Sequence, residues 1–250
     1  LCKEKEVPFY ILGNGSNLLV SDDGFRGVII QLYKNMSHIE VEGNAIRAQV
    51  GALLSKIAAE ALQNGLTGFE FASGIPGTLG GAVVMNAGAY GGEMKDVLTE
   101  VTALTQDGEV KVLKKEELDL GYRTSVVGKK GYIALEAVVE LQKGNPDEIK
   151  ATMDDLKERR TTKQPLEYPS AGSTFKRPEG YFAGKLIQDT GLRGFSVGGA
   201  QISEKHCGFV INKDHATAKD VAELMREVSD RVEAKFGVPL EPEVKKLGDF

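Results

Sequence analysis

The sequence predicts an α+β fold, and three observations carry that reading. Short apolar or alternating segments recur through residues 8–50 and 100–141. Three stretches carry helical apolar spacing, and the two kinds of segment do not alternate regularly, as they would in a doubly wound sheet. At 250 residues the chain can bury a core as one large domain or two smaller ones.

Taken in order, "LCKEKEVPFYILG" shows neither a Met start nor the zones of a signal peptide. It reads as the last turn of a helix running into a strand, with an N-terminal piece expected before it. "PFYIL" (8–12) and "LLV" (18–20) read as strands flanking "GNGSN", and "GVIIQL", "HIEVEG" and "AIRAQVG" alternate as sheet. From Leu53, apolar Leu54, Ile57, Ala58, Ala61 and Leu62 recur at helical spacing until Gly65, which suits the left-handed position past a helix end. "EVTALT", "EVKVL" and "YIALEAVVEL" return to strand patterns. A second helix opens at Asn145, with Pro146, Asp147 and Glu148 in its first turn and Ile149, Met153 and Leu156 on one face. Lys157, Arg159 and Arg160 crowd its final turn. The last helix starts at Thr217 with Asp220 completing a capping box, is expected to bury Val221, Leu224, Met225, Val228, Val232 and Phe236, and stops at Gly237.

Composition excludes several functions. A net charge of -5 argues against broad electrostatic binding to nucleic acid or an anionic membrane. No run reaches the roughly 18 apolar residues of a membrane span, and Cys2 and Cys207 are too few for a disulfide framework, so a reducing cytosol is the simplest setting. With only His38, His206 and His215, and no HExxH or CxxC, no metal site is expected. His206 and Cys207, if on a strand, would point to opposite faces.

The glycines carry more. "GNGSN" follows a strand, and its successive N–H groups can form an anion-binding concavity; Asn-Gly is equally a hairpin signal, so both readings stand. The Rossmann fingerprint fails, since Leu18 occupies the third glycine position, and "GKK" and "GKL" lack the Ser or Thr of a phosphate loop. "GIPGTLGGAVVMNAGAYGG" (74–92) holds seven glycines and no charged residue. Such positions let backbone approach a ligand or take positive φ. Two such loops in one chain point to a dinucleotide gripped at two places. In "GYRTS" the fork of Arg123 suits a substrate carboxylate or an ordinary ion pair. "YPSAGSTFKRP" sets Ser173 near Lys176 and Arg177, and without a G-x-S-x-G elbow or an evident His base it does not describe a serine hydrolase.

Taken together, "ILGNGSNLLVSDDGFRG", "FASGIPGTLGGAVVMNAGAYGGEMKDV", "GYRTS", "AGSTFKRP", "AGKLIQDTGLRG", "GGAQISEKHCGFVIN" and "EPEV" resemble, in this order and over nearly the whole chain, the UDP-N-acetylenolpyruvoylglucosamine reductase family. The short approach in "YPSAGSTFKRP" is similar to the second structural type, which lacks an extra substrate-closing loop. The resemblance implies an FAD-binding domain of two subdomains, of the vanillyl-alcohol-oxidase type, plus a C-terminal α+β substrate domain. Residues 1–27 with 240–250 would belong to the first subdomain, 28–164 to the second and 165–239 to the substrate domain. It implies FAD held by Gly13, Asn14, Gly15, Ser16, Asn17, Gly74, Ile75, Pro76 and Gly77, with Gly81, Asn86 and Gly88 nearby. It implies NADPH as hydride donor and UDP-N-acetylglucosamine enolpyruvate as substrate. Arg123 and Glu243 would stabilise the enolate-like species, Glu243 protonated or through a water, and Ser173 would deliver the proton. Lys163, Lys176, Arg177 and His206 would contact substrate. Two alternatives are an oxidase of the same FAD-binding architecture and a nucleotide-binding module without catalysis. The first makes little use of the "GYRTS", "GSTF" and "EPEV" trio; the second predicts no flavin reduction by NADPH.

Overall fold

A computed structural model describes residues 1–250, which divide into two compact units. One comprises residues 9–15 and 29–160, the other 1–8, 16–28 and 161–250.

The 9–15 and 29–160 unit is built on a five-stranded antiparallel sheet, in the order Val110–Lys114, Leu98–Leu104, Ile133–Glu140, Ala45–Gln49, Ile39–Glu42. Alternation along Ile133–Glu140 turns Ala134, Ala137 and Val139 into the core. The helix Leu54–Gln63 buries Leu54, Ile57, Ala58 and Ala61 at the expected spacing, while Leu62 is half-buried. A short helix, Leu79–Met85, packs on the same sheet through Leu79, Ala82 and Val83. Its first turn is tied to the neighbouring backbone by Leu79 N–H to Ala52 O (2.9 Å) and Gly80 N–H to Val50 O (2.8 Å). A Cβ on Gly80 would lie 3.0 Å from that of Val50, so the contact needs glycine. The helix Pro146–Lys163 continues past Arg160 and buries only Ile149.

In the other unit a four-stranded antiparallel sheet, ordered Ser170–Ser173, Phe209–Asn212, Ala200–Ile202, Ser196–Val197, packs beneath the helix Ala218–Phe236. Phe175, Ile187, Ile202, Leu224, Val228 and Val232 share its core. The C-terminal strand Lys245–Leu247 returns to pair in parallel with Leu18–Val20. Residues 2–6 form a hydrogen-bonded turn, with Val7 N–H to Cys2 O (2.9 Å), Glu6 N–H to Lys3 O (3.2 Å) and Glu6 at φ 53°. Two expectations need correction. Phe236, the last residue of its helix, is exposed, and Val221 is half-buried. His206 and Cys207 lie in a turn rather than a strand.

The N-terminus of Ala218–Phe236 has a partner for each of its first four N–H groups. Asp22 accepts from Ala218 and Lys219 (2.7 and 3.0 Å), Thr217 Oγ1 accepts from Asp220 (3.0 Å), and Thr217 O accepts from Val221 (3.2 Å). The Asp220 carboxylate returns to the N–H groups of Thr217 and Gly199, and those backbone bonds hold its pKa below the ordinary carboxylate value. A depressed folded-state pKa stabilises the fold above the unfolded value, near pH 4, and that contribution is lost as pH falls through the folded value. Asp220→Asn is therefore expected to flatten the dependence of the unfolding midpoint on pH below about 4; an unchanged acid limb would remove Asp220 from it. No helix in the structure is long and apolar enough to cross a membrane.

Candidate active site

In the 9–15 and 29–160 unit, the two glycine-rich loops meet. Asn14 Nδ2 donates to Pro76 O (3.0 Å), and Gln31 Nε2 to Gly13 O (3.2 Å), tying the start of "GNGSN" to "SGIPG". A Cβ on Gly13 would collide with Oγ1 of the buried Thr78, so the loops approach as closely as glycine allows. Gly15 takes φ 69°. The N–H groups of Asn14, Gly15, Gly74 and Thr78 donate to no carbonyl of the fold, and Gly81 is exposed, where a Cβ would meet only Thr78 Oγ1 at 4.0 Å. Side-chain-free backbone with uncommitted donors fits an anionic group such as a dinucleotide pyrophosphate. Gly77 carries the turn into the helix, its carbonyl accepting from Leu54 N–H (3.1 Å), while Ile75 is half-buried and Pro76 exposed. Gly88 is required by a different contact: a Cβ there would meet Gly92 O at 2.7 Å across a tight hairpin.

Beyond the helix Leu79–Met85 the chain turns at Asn86, φ 45°, whose side chain is fully buried. Its Nδ2 donates to Gly121 O (2.9 Å) and Glu93 Oε2 (2.8 Å), and its Oδ1 accepts from Lys95 N–H (2.8 Å). Gly121 and Thr124 exchange backbone bonds (3.1 and 3.2 Å), closing a turn whose two central residues are Tyr122 and Arg123. Arg123 sits at φ 56°, half-buried, with its guanidinium 5.0 Å from the Tyr122 ring and Nη2 3.4 Å from Gly88 O. Ser125, fully buried, donates to Val84 O (2.9 Å) and caps the next turn by accepting from Gly128 N–H. A left-handed arginine costs about 1–2 kcal/mol, and the buried bonds on either side hold it there. In the same unit Arg160 lies against Gly74 and 5.7 Å from the Tyr90 ring, and burial lowers its pKa. The sequence reading placed Arg160 only in a charged helix end.

In the other unit Ser173 ends its strand exposed, after a bulge in which Gly172 takes φ 83°. The C-terminal tail runs beside the following residues: Lys176 N–H donates to Glu241 O and Glu243 N–H to Thr174 O, both at 2.8 Å. These bonds bring Glu243 next to the neighbour of Ser173 from 70 positions further along the chain. Asn17 Nδ2 donates to Glu243 O (3.1 Å), and Lys245 N–H to Asn17 O (3.0 Å), so Asn17 fixes the tail. Ser16 belongs to the same unit. His206 Nδ1 accepts from Gly208 N–H (3.1 Å), which leaves the proton of the neutral ring on Nε2. Desolvation first, then the charges of Arg193 and Lys163, lower its pKa, so His206 is neutral at pH 7. Gly208 is the near neighbour of both: a Cβ there would lie 2.9 Å from His206 Cε1 and 3.8 Å from Ser173 Oγ. Lys163 is exposed; Lys176 pairs with Glu241; Arg177 donates to Tyr181 O (3.1 Å) and stacks 3.8 Å from the Phe182 ring. Arg123 therefore belongs to one unit, and Ser173 and Glu243 to the other.

Comparison with known proteins adds the following. A family model described as the C-terminal domain of UDP-N-acetylenolpyruvoylglucosamine reductase matches residues 164–247, and one described as an FAD binding domain matches residues 1–114. The chain is 57% identical over 249 residues to the UDP-N-acetylenolpyruvoylglucosamine reductase of Clostridioides difficile (strain 630), covering 100% of this chain and 82% of that one. It is 58% identical over 248 residues to the enzyme of that name from Clostridium perfringens (strain 13 / Type A), covering 99% and 81%. The crystal structure of UDP-N-acetylenolpyruvylglucosamine reductase from Thermus caldophilus superposes with a TM-score of 0.84 at 38% identity, over 98% of this chain and 88% of that one.

Proposed function

The chain belongs to the UDP-N-acetylenolpyruvoylglucosamine reductase family, and from that premise we propose that Arg123, Ser173 and Glu243 carry its reaction. It is an FAD-containing, NADPH-dependent oxidoreductase that reduces UDP-N-acetylglucosamine enolpyruvate to UDP-N-acetylmuramate in peptidoglycan precursor synthesis. Its substrate is a small molecule, and no helix of the fold is long and apolar enough to cross a membrane. We place the reaction in the cytoplasm. The functional divisions we propose are a first cofactor subdomain of 1–27 with 240–250, a second of 28–164 and a substrate domain of 165–239.

Bound FAD, once reduced by NADPH, supplies a hydride to carbon 3 of the enolpyruvyl group. The chain's own residues do the rest. The Gly13–Asn14–Gly15 and Gly74–Ile75–Pro76–Gly77 segments, with Gly81, would line the cofactor's pyrophosphate, the N–H groups of Asn14, Gly15 and Gly74 being the donors left for it, and Ser16, Asn17 and Gly88 complete or support those loops. Addition at carbon 3 builds negative charge on the carboxylate-conjugated carbon 2 and its carboxylate oxygens. Arg123 holds that carboxylate by its guanidinium fork, and Glu243 shares the developing charge in protonated form or through a water. Ser173 Oγ then passes a proton to carbon 2. Lys163, Lys176, Arg177 and His206 are assigned to the sugar nucleotide; His206, neutral and protonated on Nε2, acts there as a donor.

The observation that supports the pairing of Ser173 with Glu243 is the Glu243 N–H to Thr174 O bond, which brings the Glu243 backbone beside the residue that follows the serine. The test is a two-step anaerobic spectrum of the FAD-loaded protein. NADPH should bleach the flavin, and the enolpyruvyl sugar nucleotide should restore its oxidised absorbance. Bleaching without recovery would assign the electrons to another acceptor, as an oxidase would require, and no bleaching would leave only nucleotide binding.

A further inference from the structure

We infer that Asn86 is a positioning residue for Arg123 and makes no contact with the cofactor. The inference rests on the reading that Arg123 meets the substrate. It starts from the hydrogen-bond inventory of one amide. A primary amide offers two N–H donors and one carbonyl oxygen. Both donors of Asn86 are engaged, by Gly121 O and Glu93 Oε2, its oxygen accepts from Lys95 N–H, and its side chain is fully buried. Two acceptors on one side and an N–H on the other fix which end is nitrogen. Such a side chain has no surface left for a ligand.

What the amide holds is specific. Gly121 is the first residue of the turn that presents Arg123, and its N–H and C=O also close that turn on Thr124. Glu93 pairs with Gly88 in a hairpin and Lys95 follows it, and the Gly88 carbonyl lies 3.4 Å from Arg123 Nη2. Asn86 thus fastens both supports of the guanidinium to one point. That point is the left-handed residue ending the helix Leu79–Met85, whose first turn follows the glycine loop assigned to FAD. One short helix therefore carries the cofactor loop at its start and the anchor for the substrate arginine at its end. Asparagine suits the position twice, because it tolerates φ 45° and carries the amide. Without the amide, the turn keeps its own Gly121–Thr124 closure but loses the tie from Gly121 O to the helix end, and Arg123 at φ 56° is held less firmly.

The test uses the full chain loaded with FAD. Asn86→Gly keeps the left-handed backbone and removes the amide. We expect FAD content and the rate of flavin reduction by NADPH to hold, while flavin reoxidation by the enolpyruvyl sugar nucleotide slows roughly 10- to 100-fold, the scale of a misplaced reacting group. In an Arg123→Ala background the same change should add less than about two-fold, since the group being positioned is gone. Hydrogen exchange should rise at Gly121 and Thr124 N–H and stay unchanged in the sheet. Asn86→Asp keeps the acceptor for Lys95 and loses both donors, and it serves if the glycine variant does not accumulate. Loss of FAD would make Asn86 a cofactor contact and overturn the inference, as would full multiplication of the two single effects in the double variant. If Arg123→Ala is slow and Asn86→Gly as fast as the parent, the inference alone fails. If Arg123→Ala is itself as fast as the parent, the reading of Arg123 fails and takes the inference with it.

Discussion

Ser173→Ala should leave NADPH-dependent flavin bleaching at the parent rate and slow the substrate-dependent recovery about 10²- to 10⁴-fold, the range for loss of a positioned general acid. Oγ is the only group the substitution removes, and Ser173 stands at an exposed strand end after a bulge, with no side-chain role in the core. Stopped-flow measurement of the two half-reactions separates the outcomes. Equal losses in both would indicate a disturbed fold or cofactor, and an unchanged recovery would assign the proton to another group. Because Glu243 is fixed to Thr174 through its backbone, the alanine variant keeps Glu243 in place, so its effect reports on the proton alone.

Gly13→Ala should cost the protein its flavin. A methyl group at residue 13 would collide with Thr78 Oγ1, and a threonine in a packed site has few rotamers with which to yield. Overpacking of this kind costs about 1–3 kcal/mol. The strain falls on the junction between the two loops whose uncommitted N–H groups we assign to the pyrophosphate. We expect substoichiometric FAD after purification, a weakened Kd on reconstitution, and rescue by Thr78→Ala in the same chain, which removes the opposing oxygen. Full FAD occupancy in Gly13→Ala would show that the approach of these loops is not needed for binding. Failure of the rescue would assign the effect to the backbone of Gly13 itself.

Much of the framework was legible because it is local. The capping box Thr217–Asp220 and the stop at Gly237 obey rules that operate over four residues, and both stand as read. Apolar periodicity placed Leu224, Val228 and Val232 in the core. It failed at Phe236, where the periodic pattern reaches the last residue of the helix but the side chain is exposed. The glycines of "GNGSN" and "SGIPG" were recognisable as backbone-approach positions, yet one pattern hides two uses: Gly13 faces Thr78 and the cradle, whereas Gly88 is required by a hairpin. The motifs of Asn17 and Asn86 do not show which protein groups their side chains hold. Asn17 donates to the Glu243 carbonyl and Asn86 to Gly121 O in the Arg123 turn, and no local signal announces either partner.

By itself, then, the sequence determined the α+β class, the main helices, the glycine loops and the family, since each depends on neighbouring residues or on motifs that survive as strings. Tertiary structure alone decided that the tail returns to Thr174, that Asn86 reaches Gly121 across 35 positions, and that His206 is a neutral donor protonated on Nε2. Those outcomes depend on hydrogen bonds and burial between segments far apart in the chain. A linear pattern carries the residue types for such contacts, but the choice of partner is made only when the chain packs.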